Sequence, residues 1–139
     1  MKVFYDTNVL LDVLLGREPF YEDSARTWTL AEMGRVDGYV SAVSFTNVFY
    51  IVDGARDREE AERVVHEMVG IFTPAACNDR VIRQAVEADI SDFEDAVQYF
   101  SALHAGADNI ITRNAADFPR QTEMPVLSPQ EFLAKVDFQ

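Results

Sequence analysis

The stretch KVFYDTNVLLDVLL, residues 2–15, decides the fold. Val3, Phe4 and Tyr5 form an unbroken apolar run, the length of a short strand buried on both faces. Asp6, Thr7 and Asn8 interrupt it. From Val9 the period changes: Val9, Leu10, Val13 and Leu14 make a helical stripe that Gly16 closes. A buried strand that passes straight into a helix is the first half of a strand–helix–strand unit, and the carboxylate at its junction needs an explanation.

The same alternation continues to the end. Residues 20–34 carry a helical pattern with Ala25, Trp28 and Ala31, ended by Gly34. GYVSAVS is a second strand running into a helix that Ser41 or Ser44 can cap, with Phe45, Val48, Phe49 and Val52 on one face and Gly54 as its stop. Asp57 and Glu60 have capping-box spacing ahead of Ala61, Val64, Val65 and Met68. A brief strand is expected over residues 71–73, ending at Pro74. Asn78 then caps a helix that turns Val81, Ile82, Ala85 and Val86 inward. Residues 92–105 predict a helix with Phe93, Ala96, Val97, Phe100 and Leu103 as its stripe. NIIT and PVL are short strands, and SPQEFLAKV is a helix with Ser128, Pro129 and Glu131 in capping positions. Strands that alternate with helices predict an α/β fold of three layers, α/β/α, around a mainly parallel sheet of about five strands.

The 139 residues suit one domain, 1–139, and 48% apolar composition with ten Phe argues for a packed core over disorder. No apolar run has the length of a membrane span, and the first residues lack the basic, apolar pattern of a leader. The lone Cys77 excludes an internal disulfide and suits a reducing, cytoplasmic setting. A net charge of −12 argues against a broad basic surface for nucleic acid. It also leaves room for a carboxylate cluster that gathers a cation.

In open parallel sheets, ligands collect beyond the carboxyl ends of the strands. Asp6 leaves the first strand at that edge. ITRNAADF leaves a later one and delivers Asn114 and Asp117; Asp92 and Asp95 share a face three residues apart, and Asp12 lies one helical turn beyond Asn8. Each has a plainer role available. Asp6 could only cap its helix, Asp92 could only favour the helix dipole, Asp117 could close an Asx turn, and Asp12 could be solvated. Together they would repel one another unless a hard divalent cation such as Mg²⁺ joins them, which would then activate water against a phosphodiester. His66 and His104 sit in separate helices and suggest no zinc site, and no glycine-rich phosphate loop is present.

VFYDTNVLLDVL, SAVSFTNVFYIV, DFEDAVQYFSALHAGADNIITRNAADF and PVLSPQEFL, in this order over nearly the whole chain, resemble the PIN-domain family, in particular its small VapC-type toxin ribonucleases. The resemblance implies a PIN-like fold and a Mg²⁺- or Mn²⁺-dependent endoribonuclease, often dimeric and often silenced by an antitoxin. It implies metal-site roles for Asp6, Asp95 and Asp117, and an antitoxin groove near the first helices that Phe20, Tyr21 and Trp28 could line. The chain departs at one position. Where many such domains carry Glu in the helix after the second strand, Asn47 stands, and Asp53 lies about 240° further round the helix. Asn47 brings an oxygen without charge, so weaker cation binding is expected unless Asp12 or Asp92 compensates.

The expected site therefore comprises Asp6, Asp95, Asp117 and Asn47, supported by Thr7, Asn8, Asp12, Asp92, Thr112, Arg113 and Asn114. Arg113 could contact an RNA backbone or pair with an acid. The alternatives are a catalytically silent domain that binds protein or RNA, and a hydrolase of small phosphoesters.

Overall fold

A computed structural model of the chain describes residues 1–119 and 124–136. Five strands, β1 (Lys2–Tyr5), β2 (Asp37–Ser41), β3 (Thr73–Ala75), β4 (Asn109–Ile111) and β5 (Val126–Leu127), form one sheet in the order β3-β2-β1-β4-β5, and every pair is parallel. The helices are α1 (Thr7–Leu14), α2 (Tyr21–Glu32), α3 (Ala42–Ala55), α4 (Arg58–Ile71), α5 (Asp79–Glu87), α6 (Phe93–Ala105) and α7 (Pro129–Lys135).

Strand alternation builds the layers. Val3, Tyr5, Val40 and Ile111 face one side and pack with α1, α2, α3, α4 and α7, through residues such as Leu10, Trp28, Val48, Met68 and Phe132. Phe4 and Ile110 face the other side, against Ala102 of α6. Strands buried on both faces explain why their sequence shows apolar runs and no alternation. The chain builds outward from β1 through β2 to β3, then returns to β1's other side for β4 and β5. Strand order reverses at β1, and the crevice beyond the carboxyl ends of β1 and β4 lies at that reversal.

Four local expectations are corrected. The strand near residue 72 begins later, because α4 continues through Ile71 and β3 is Thr73–Ala75. Pro74 lies within that strand, which the sheet tolerates because β3 is an edge strand. Gly54 does not stop α3, which continues to Ala55. The box at Asp57 is half formed: Asp57 accepts from the Glu60 N–H at 2.8 Å, while the Glu60 carboxylate pairs with Arg63. The inward faces of α5 and α6 are narrower and more polar than their large apolar residues suggest. Ile82, Val86, Phe93 and Leu103 are exposed. α5 packs on α6 through Val81 and Ala85, while α6 buries Asp95, Gln98, Ser101 and Ala102.

Phe72 joins two aromatic residues of the core. Its ring stands edge-on to Tyr5 and Trp28, each 5.0 Å away between centroids. Gly38 makes room for it: a Cβ there would lie 2.6 Å from Phe72 Cδ1 and 3.0 Å from the Ala31 Cβ.

Candidate active site

Asp6 caps α1 and faces the crevice at once. Its Oδ1 accepts from the Thr7 N–H at 2.8 Å and its Oδ2 accepts from the Thr112 hydroxyl at 2.7 Å. Its own N–H donates to the Ile111 carbonyl, so the backbone of β4 fixes where the side chain begins. Thr112 is the hub of the crevice. Its oxygen also accepts from the Asn114 N–H at 3.1 Å and, more distantly, from the Asn8 amide. Asn8 in turn accepts from the Arg113 N–H. The expected supporting residues Thr7, Asn8, Thr112 and Asn114 therefore bind each other and Asp6 across the β1–β4 edge.

A second network sets the depth of α6. The Thr7 and Ser44 hydroxyls lie 2.7 Å apart, and the Gln98 amide donates to Ser44 at 3.0 Å, all fully or almost fully buried. Ser44 does not cap α3; Ser41 does, accepting from the Val43 N–H. Gln98 is three residues beyond Asp95 on the same side of α6, so this chain of bonds holds Asp95 toward Asp6. Asp92 lies just before α6 as its cap, accepting from the Asp95 N–H at 3.0 Å. Asp117 ends a short 3-10 turn, Ala115–Asp117, and is exposed.

The electrostatics show which carboxylates meet. Asp6 is 3% exposed, and burial pushes its carboxyl up to about 6 against the pull of its two hydrogen bonds; Glu94 and Asp92 push it further. Asp95 is pushed up to about 7, first by burial, then by the charges of Asp6, Asp92, Asp117 and Glu94. Five acids from three segments thus act on one small region. The motif DFED hides the contribution of Glu94 from a periodicity argument, since one helical step separates it from Asp95; at the first turn of α6 both reach the crevice.

The donors are all oxygen, two of the acids are buried, and their charges oppose one another, a combination that fits a hard divalent cation. Among the described residues no three His, Cys, Asp or Glu side chains are spaced to hold an ion by themselves. A cation here would keep water among its ligands, as Mg²⁺ does. Asp6 and Asp95 could hold it, with Asp117 and Glu94 supplying charge from the rim.

Asn47 and Asp12 take different places. Asn47 is half-buried and lines a hollow of about 360 Å³ with Thr7, Asn8, Tyr50 and Glu94. Asp12 is fully buried, its Oδ2 2.7 Å from Arg113 Nε and its Oδ1 3.9 Å from Arg17. Burial still holds its carboxyl above the ordinary range. Asp12 is spoken for by two arginines, and Arg113 is the acid-paired arginine, with its guanidinium 4.2 Å from the centre of the Phe20 ring. The aromatic trio near the first helices also separates: Trp28 belongs to the core, Phe20 lies against Arg113, and Tyr21 lines an apolar groove of about 540 Å³ with Leu30, Met33 and Leu133.

The comparisons with known proteins agree with this architecture. Ribonuclease VapC1 of Aquifex aeolicus is 25% identical over 136 residues, covering 94% of this chain and 92% of that protein. Among solved structures, VapBC2 of Rickettsia felis bound to a promoter DNA fragment superposes with a TM-score of 0.67 at 14% identity, over 91% of this chain and 97% of the other. A toxin–antitoxin complex from Klebsiella pneumoniae gives the same TM-score and coverage at 17% identity. VapBC-1 of nontypeable Haemophilus influenzae gives 0.67 at 15%, over 94% and 99%. At these identities the structural likeness establishes the fold. The profile of the PIN domain matches residues 2–116, from β1 through the turn that carries Asn114, and the chain belongs to that family.

Proposed function

We propose that this protein is a metal-dependent endoribonuclease and the toxin of a toxin–antitoxin pair. The observation that carries the reading is the convergence of Asp6 and Asp95, with Asp92, Glu94 and Asp117 around them, at the edge where β1 and β4 end. Such a cluster is costly to the fold and acquires a purpose when a cation is shared. The likeness to a protein named Ribonuclease VapC1 supports RNA as the substrate.

In this reading Asp6 and Asp95 would hold Mg²⁺ or Mn²⁺, with Asp117 drawn toward the ion from the rim. The bound ion supplies Lewis-acid polarisation of the phosphodiester and lowers the pKa of a water molecule. Thr112 and the Thr7 N–H hold both oxygens of Asp6, so that the carboxylate needs no reorientation as charge develops. The Thr7–Ser44–Gln98 chain keeps α6, and with it Asp95, at a fixed depth. Asn47 faces the same hollow as Glu94 and offers a neutral oxygen for positioning water or the outer ligands. Asp92 orients the first turn of α6 through its cap, and Asn114 shares the Thr112 hub.

The structural relatives include toxin–antitoxin complexes, which supports a small antitoxin protein as partner. The apolar groove beside Tyr21, Leu30, Met33 and Leu133 is the surface we assign to it, and a homodimer is the assembly expected for the toxin alone. No helix among the described residues is long and apolar enough to cross a membrane.

The neutral Asn47 favours one second reading, a domain that keeps its partner surface and cleaves nothing. Purified protein incubated with structured RNA, single-stranded DNA and a chromogenic phosphodiester, in Mn²⁺, Mg²⁺ or EDTA, separates the two. The nuclease reading expects RNA cleavage that EDTA stops and that Asp6→Asn with Asp95→Asn abolishes. Cleavage that survives the double substitution overturns the mechanism. Intact substrates throughout, with undiminished antitoxin binding, establish the second reading.

A further inference from the structure

The hollow beside the acids has a wall that the chemistry above uses only at the Asn47 oxygen. Asn47, Tyr50 and Ile51 follow one another at helical spacing on α3, so all three border it, and Leu11 adds an apolar surface from α1. Tyr50 is 67% exposed. One aromatic ring touches it. Phe49 stands edge-on at 5.5 Å, and Arg58 lies over the Phe49 ring at 5.7 Å. Neither the Asn47 amide nor the Tyr50 hydroxyl has a hydrogen-bond partner among the described residues. The site thus presents an exposed aromatic face, apolar flanks and an amide nitrogen without a partner among those residues.

What fits it is flat, apolar on its faces and polar at its edges. Charge narrows the choice further. Glu94 borders the hollow, and Asp6 and Asp95 lie at the residues next to Thr7 and Glu94. A phosphate would be repelled there unless a cation held it; a neutral ring would not. Arg17 is the cation on this wall, and it is already drawn toward Asp12.

We propose that this hollow is a nucleobase subsite: an unpaired base next to the scissile phosphate stacks on Tyr50 while the Asn47 amide meets its edge. The assignment rests on the ribonuclease reading and sharpens its substrate class. A base inside an A-form duplex cannot present its face to Tyr50, so the substrate is single-stranded or looped RNA. Preference among bases then follows from which edge offers an acceptor to the Asn47 amide nitrogen.

The test measures binding and cleavage separately. A fluorescein-labelled 12-nucleotide single-stranded RNA, its duplex, and an abasic version with the same backbone are titrated by anisotropy with Ca²⁺ present. Wild type, Tyr50→Phe and Tyr50→Ala are compared, and kcat/KM is measured in Mn²⁺. Tyr50→Ala is expected to weaken binding of the single strand and to lower kcat/KM by tenfold or more, while Tyr50→Phe retains both. The abasic strand and the duplex should bind weakly and equally to all three proteins. Unchanged RNA affinity in Tyr50→Ala overturns the subsite, as does an abasic strand that binds as well as the normal one. So does a change of sedimentation with RNA affinity intact, which would make Tyr50 a self-association contact. Base-dependent binding without cleavage by wild type would sink the nuclease reading and keep the subsite; cleavage without base dependence does the reverse. Absence of RNA binding overturns both.

Discussion

Replacing Asp6 with Asn should stabilise the metal-free protein. Burial and the nearby Glu94 and Asp92 raise the Asp6 carboxyl from an ordinary 3.8 to about 6. The unfolded chain releases this proton near pH 4, whereas the folded one keeps it until about pH 6. Between those values the folded state binds a proton that the unfolded state lacks, so the contribution of Asp6 to stability falls as pH rises through this window and is level above it. At 1.36 kcal/mol per pH unit the cost of the ionised carboxylate is roughly 3 kcal/mol. Asn retains an oxygen for the Thr7 N–H, resembles the protonated carboxyl at the Thr112 hydroxyl, and carries no charge to desolvate. Urea unfolding in EDTA should therefore find Asp6→Asn and wild type nearly equal at pH 4, and the variant ahead by about 2–3 kcal/mol at pH 8. At roughly 3 °C per kcal/mol for a chain of this size, its Tm rises by about 6–9 °C. Saturating Mg²⁺ should narrow the gap, because the ion favours the ionised carboxylate. A variant no more stable at pH 8, or a gap indifferent to pH, refutes the argument that Asp6 is held under electrostatic strain.

Arg113→Met leaves Asp12 fully buried with only Arg17 at 3.9 Å, and should cost about 3 kcal/mol in urea unfolding at pH 8. Adding Asp12→Asn should recover much of that loss. Asn47→Glu places a carboxylate beside Glu94, and calorimetry should show Mn²⁺ binding about tenfold tighter, with lower stability in EDTA. Gly38→Ala drives a Cβ into Phe72, which Tyr5 and Trp28 prevent from moving away; thermal melts should show a loss of about 2 kcal/mol or more.

Much of the architecture was legible because its signals are local. Strands buried on both faces appear as apolar runs, and the caps at Ser41, Asn78 and Ser128 stand where short polar side chains precede helical stripes. Asp6 and Thr112 could be brought to one edge because parallel strands end at one edge. What escaped depends on tertiary packing. The inward face of α6 is not legible because it buries Ser101 and Gln98, and the Gln98 amide finds its acceptor on Ser44, distant in sequence. Ser44 resembles a cap in sequence, yet its hydroxyl ties α1 to α6. The claim of Arg113 and Arg17 on Asp12 is invisible without the fold, because nothing in the spacing of residues 12 and 113 announces a contact.

The central claim is that one divalent cation is shared at the crevice between β1 and β4. Anomalous diffraction from a crystal soaked in Mn²⁺ tests it most directly. The account predicts a single strong peak bonded to Asp6 and Asp95, with Asp117 turned toward it and water completing the shell. A peak bonded elsewhere, or none at saturating Mn²⁺ with Asp6 and Asp95 ordered, contradicts it.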